Sequence, residues 1–135
     1  MAGHTKVNLR TDVEDMAPKF GHAPDLEARF ATRDLELEKS GVSVQRLAPG
    51  VRMPFGHRQT EQEEVYVVVA GGGRAKLDDE IVELATWDAL RVAPEVMRGV
   101  EAGDEGLEIL VFGAPAGGGR SPADDAEMTP GWWTD

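Results

Sequence analysis

The sequence predicts an all-β protein, an antiparallel sandwich or barrel, on three observations. Between residues 42 and 112, short β-branched and aromatic segments alternate with Gly, Pro and Asp turns. No stretch carries the 3.6-residue apolar period of a long helix. The 135 residues, 41% of them hydrophobic, suffice for one buried core and are too few for two.

The elements follow in chain order. Residues 1–40 read as an N-terminal arm, because Pro18 and Pro24 interrupt any long helix; within it, Leu26 to Phe30 is either a helical turn or a first strand. Val42 to Leu47 alternates as a strand and stops at Ala48-Pro49-Gly50. Glu64 to Val69 is a buried strand, with a hairpin expected at Gly71-Gly72-Gly73. Arg74 to Leu77 is expected to pair with Ile81 to Leu84 across Asp78-Asp79, since Asp tolerates the positive φ of a tight turn. Leu90 to Val92, Met97 to Val100 and Leu107 to Phe112 complete seven or eight strands, parted by Pro94-Glu95 and by a polar loop, Glu101 to Gly106. These strands make a barrel body over 41–113. Residues 114–135 form an acidic tail rich in Gly, Pro and Ala, whose Gly117-Gly118-Gly119-Arg120 has linker composition. Trp132 and Trp133 are expected to dock on the body or on a second subunit.

Composition narrows the function. A formal charge of -11 has the wrong sign for nucleic acid or an anionic lipid surface. The absence of cysteine excludes disulfides, thiolate metal sites and cysteine nucleophiles. The apolar run Val65 to Ala70 is far shorter than the ~20 residues of a membrane helix, and no basic-then-apolar signal opens the chain. The expected location is the cytoplasm.

One segment carries a recognisable pattern. His57-x-Gln59, then four residues, Glu64, six residues and Gly71 resembles the first signature of the cupin superfamily, with Gln59 in place of its second histidine and Gly50 displaced by one position. Trp87 to Val100 resembles the second signature, with Arg98 in place of its histidine. The resemblance covers about Val42 to Phe112. It implies a jelly-roll cupin barrel (an antiparallel double-stranded β-helix), frequent dimers through sheet contacts or exchanged arms, and a pocket at these four positions. In typical members they hold Fe, Mn, Ni, Zn or a similar ion.

Here the corresponding set is His57, Gln59, Glu64 and Arg98. Residues two apart on a strand share a face, so Met53, Phe55, His57 and Gln59 line one wall, and Tyr66 follows Glu64. Of the adjacent Glu63 and Glu64, only one faces inward, and the spacing to Gly71 selects Glu64. Gln59 offers a neutral oxygen, whereas the guanidinium of Arg98 has no lone pair to give a metal. Two unit charges ~5 Å apart at an effective dielectric of ~20 interact by ~3 kcal/mol, so a dication facing Arg98 loses ~6 kcal/mol. That is about four orders of magnitude in affinity.

The metal site formed by His57, Gln59 and Glu64 is therefore expected to be impaired or absent. The leading expectation is a pocket for a small molecule, an anion or a polyol, lined by His57, Gln59, Arg98, Phe55, Tyr66 and Met53. An alternative is an isomerase, epimerase or dioxygenase type of enzyme, with His57, Tyr66 and Glu64 as catalytic candidates. A third is a non-catalytic homodimeric module in which Glu64 and Arg98 plug the barrel.

Overall fold

The computed structural model of the protein describes residues 3–115 and 126–135; the linker read at Gly117 to Arg120 lies outside them. A short 3-10 turn at Ala17–Phe20 precedes eight strands: β1 Leu26–Phe30, β2 Gly41–Leu47, β3 Phe55–Gln59, β4 Glu63–Leu77, β5 Glu80–Leu84, β6 Ala89–Val92, β7 Arg98–Ala114 and β8 Ala126–Pro130. All pairings are antiparallel, and one path runs β1-β2-β7-β3-β8 while β4 joins β5, β6 and β7. The fold is all-β, a curled antiparallel sheet of the double-stranded β-helix kind. No helix among the described residues is long and apolar enough to cross a membrane.

The ambiguity at Leu26 to Phe30 resolves to a strand, because all five residues find ladder partners on β2, from Leu26↔Leu47 to Phe30↔Ser43. Residues of the arm thus extend the sheet on one side, as β8 does on the other. The turn at Asp78-Asp79 forms as its composition suggests: Asp78 has φ 53 and Leu77 pairs with Glu80. Alternation sorts the two faces. On β4, Glu64, Tyr66 and Val68 are buried while Glu63 is exposed, and on β7 Leu107, Ile109 and Val111 turn to the same core.

Two expectations fail for one physical reason. The glycine triplet is not a hairpin: β4 runs through it, and the polar segment 101–106 lies within β7. These two long strands pass each other with a register jump, Gly71 opposite Leu107 but Gly73 opposite Ala102. A Cβ on Gly71 would lie 2.0 Å from the Gly106 carbonyl oxygen, and one on Gly73 would lie 1.9 Å from that of Glu101. The glycines therefore permit close backbone approach at a bend in the sheet instead of a chain reversal.

Candidate functional site

The site grows from a thin junction between two strands. β3 meets β7 at a single residue pair, His57↔Arg98, so these two side chains lie beside each other on the inner face. β4 brings Glu64 and Tyr66 to the same place. Glu64 Oε1 is the focus: His57 Nε2 lies 3.3 Å from it, the Tyr66 hydroxyl donates to it at 3.3 Å, and Arg98 Nη1 is 3.5 Å away. Arg98 is fully enclosed, with 0% of its surface exposed.

The carbonyls of the Pro94 turn complete the cage. Arg98 Nη2 donates to Ala93 O at 2.7 Å and lies 3.5 Å from Pro94 O. Its Nε and Nη1 nevertheless have no hydrogen-bond acceptor among the described residues, and neither does the buried Gln59 Oε1 have a donor. Gln59 uses its amide nitrogen on Gln62 Oε1 at 3.4 Å. Burial raises the Tyr66 hydroxyl well above its ordinary value, helped by the neighbouring Glu64 charge and opposed by Arg98. Tyr66 is thus a neutral donor at neutral pH.

The structure brings His57, Glu64, Tyr66 and Arg98 into direct contact, and Gln59 stands on the same wall two residues from His57. Met53 is half-buried against the core that includes Tyr66, and Phe55 lies beside His22, with ring centroids 6.3 Å apart. His22 belongs to the arm, and its distance in sequence gave no sign of this contact. Trp132 is the larger omission. Its ring covers the outer side of the β3–β7 junction, against Gly56 and Gly99, the immediate neighbours of His57 and Arg98. The sequence signal was the tryptophan pair itself, without an indication of where it docks.

The donor set these residues offer is a poor one for a divalent ion. Among the described residues no three His, Cys, Asp or Glu side chains gather as a ligand set. The one carboxylate of the cluster is faced by a buried guanidinium, which repels a dication and competes for the oxygen a metal takes.

An eight-stranded antiparallel β-helix with a polar cluster on its inner wall defines the class, and comparison with solved structures agrees. A cupin protein from Bacteroides fragilis shares 25% identity over 90% of this chain and 92% of its own, at a TM-score of 0.70. One chain of oxalate decarboxylase from B. subtilis superposes with a TM-score of 0.76 at 18% identity over 95% of this chain, which spans only 33% of the decarboxylase. KdgF from Halomonas sp. matches at 18% identity and a TM-score of 0.63, covering 84% and 94% of the two chains. No protein family profile matches the sequence, and no curated protein matches it. The chain has the fold of the cupin proteins, and the neighbours here include enzymes and a protein described only as a cupin.

Proposed function

We propose that this barrel binds a small organic oxyanion, best a hydroxycarboxylate, without a metal ion. The observation that carries the proposal is the buried Arg98: its Nε has no hydrogen-bond acceptor among the described residues, and its Nη1 has the 3.5 Å ion pair with Glu64 but makes no hydrogen bond. Leaving such groups unsatisfied costs free energy, and a carboxylate supplies the acceptors a guanidinium is shaped to take. The unpaired Gln59 Oε1 on the same side suits a ligand hydroxyl as donor. Glu64 balances the charge of Arg98, so a monoanion adds one negative charge to a nearly neutral cluster.

The test uses protein stripped of metal and a panel of small hydroxycarboxylates, plain carboxylates and neutral polyols, read by thermal shift and calorimetry. The expected result is saturable stabilisation by the hydroxycarboxylates, lost in Arg98→Gln. Metal analysis of untagged protein is expected to find no stoichiometric ion, whereas Arg98→His should gain affinity for Zn²⁺ or Ni²⁺ because it restores an imidazole next to His57 and Glu64. One tightly held cation per wild-type chain, removed by His57→Ala, would overturn the reading.

A second reading, proton-transfer catalysis, has its own support in the His57–Glu64–Tyr66 contacts, where a carboxylate orients an imidazole and a neutral phenol stands by. Unchanged turnover of a screened substrate in His57→Ala would remove it. The same proposal includes a cytoplasmic setting and a homodimer. The dimer is supported by an apolar outer face on β2, β7 and β4, where Val42, Phe112 and Val65 form one row and Leu110 and Val67 belong to the next.

A further inference from the structure

β3 carries His57 and Gln59, and its ladder pairing with β7 is short. It shares one residue pair with β7 and five with β8, from Phe55↔Pro130 to Gln59↔Ala126. β8 is itself an edge strand. Backbone bonds hold the two ends of the segment, Met53 N to Val100 O at 2.9 Å and Ala102 N to Val51 O at 2.8 Å before β3, and Gln59 N to Pro94 O at 2.7 Å at its end. Strand alternation shows what holds the middle. His57 and Arg98 point inward, so Gly56 and Gly99 present their bare backbones outward, side by side. The Trp132 ring lies in the space a Gly56 side chain would fill, where a Cβ would come within 2.5 Å of Cε3, and rests at contact distance over Gly99, where a Cβ would lie 3.6 Å from Cζ3.

The end of the chain anchors that ring. Gly131 N donates to Pro54 O at 2.9 Å, and Lys76 Nζ sits 4.8 Å from the Trp132 ring centroid. Trp133, only 6% exposed, is flanked by the guanidinium carbons of Arg52 at 4.4 Å and Arg74 at 5.2 Å. Arg52 further donates to Trp133 O and pairs with Asp135.

We propose that Trp132 is a positioning residue for the binding cluster. By docking on Gly56 and Gly99 it clamps β3 to β7 and thereby sets His57 against Glu64 and Arg98. The inference rests on the reading of that cluster as the ligand site, but its test needs no ligand, so the two stand or fall separately.

Hydrogen exchange is followed by NMR on the full chain for the amides of Gly56 to Gln59 and the Arg98 Nε–H, with the β4 amides Val65 to Val68 reporting global stability. Trp132→Ala is expected to speed exchange at β3 and Arg98 by about a hundredfold, with a much smaller change at β4. Trp132→Phe should recover most of the protection. Gly56→Ala should reproduce the effect without touching the tryptophan, since its methyl displaces the ring. In the Trp132→Ala background, Gly56→Ala should add almost nothing, because the clash is gone. Equal acceleration at β3 and β4, no acceleration at β3, or additive effects of the two substitutions would each overturn the proposal. If Trp132→Ala fails to fold, Gly56→Ala against Gly99→Ala decides alone: the first should loosen β3, and the second, whose Cβ has ordinary contact distances, should not.

Discussion

A buried arginine is where this barrel departs most from a metal site. Arg98 and Glu64 form an ion pair at 3.5 Å with little exposure to water, and removing one partner of such a pair leaves the other charged and enclosed. Arg98→Met is therefore expected to cost about 3 kcal/mol in urea unfolding, and Glu64→Gln a comparable amount. The double variant should be more stable than the sum of the two losses, because no charge is then stranded. The inward placement of Glu64 was legible in the sequence, since strand alternation and spacing to Gly71 allow only one of Glu63 and Glu64 inside, whereas that of Arg98 followed only from the resemblance to the second cupin signature. The Ala93 and Pro94 carbonyls that hold Arg98 were not legible. Side-chain type and spacing carry no information on which backbone oxygens a long guanidinium reaches.

Among the elements, β3 with β8 and the chain end behave as one unit tied down by charge. Burial by itself raises the Glu101 carboxyl, but hydrogen bonds from Arg74 and Arg52 outweigh it and hold it below its ordinary value; Asp135 is lowered by its bond to Arg52. For acids whose folded values are depressed, the stabilisation is present above the unfolded value and is lost as pH falls through the folded one. Acidification below 4.5, the ordinary value for Glu101, is thus expected to release the tryptophan clamp progressively. Tryptophan fluorescence should follow the change, with Glu101→Gln flattening it. Sequence alone showed β2 and the Asp78-Asp79 hairpin because short-range pattern governs them. It misread Gly71 to Gly73 because a glycine run suits a reversal and a close backbone crossing equally well, and only the position of Glu101 and Gly106 distinguishes them.

The whole molecule carries a charge of -11, which opposes association of two copies. The outer face of β2, β7 and β4 is exempt from that excess. It exposes Phe112 at 43%, and the charges around it are Arg10, Arg29, Arg46 and Arg91 against Glu27, Glu63 and Glu108, four against three, all engaged in ion pairs. Light scattering is accordingly expected to return twice the 14.6 kDa mass, and Phe112→Asp to return the single value; a wild-type monomer at high concentration would remove the dimer from the proposal. The central role of β7, which pairs with β2, β3 and β4, has a further consequence during synthesis. While the chain is still emerging from the ribosome, β1 with β2, and β4 with β5 and β6, can already associate. The segment bearing His57 waits with no strand partner until β7 and β8 arrive, so the wall that carries it is assembled last, and nascent chains stalled before residue 98 should be its most protease-sensitive form.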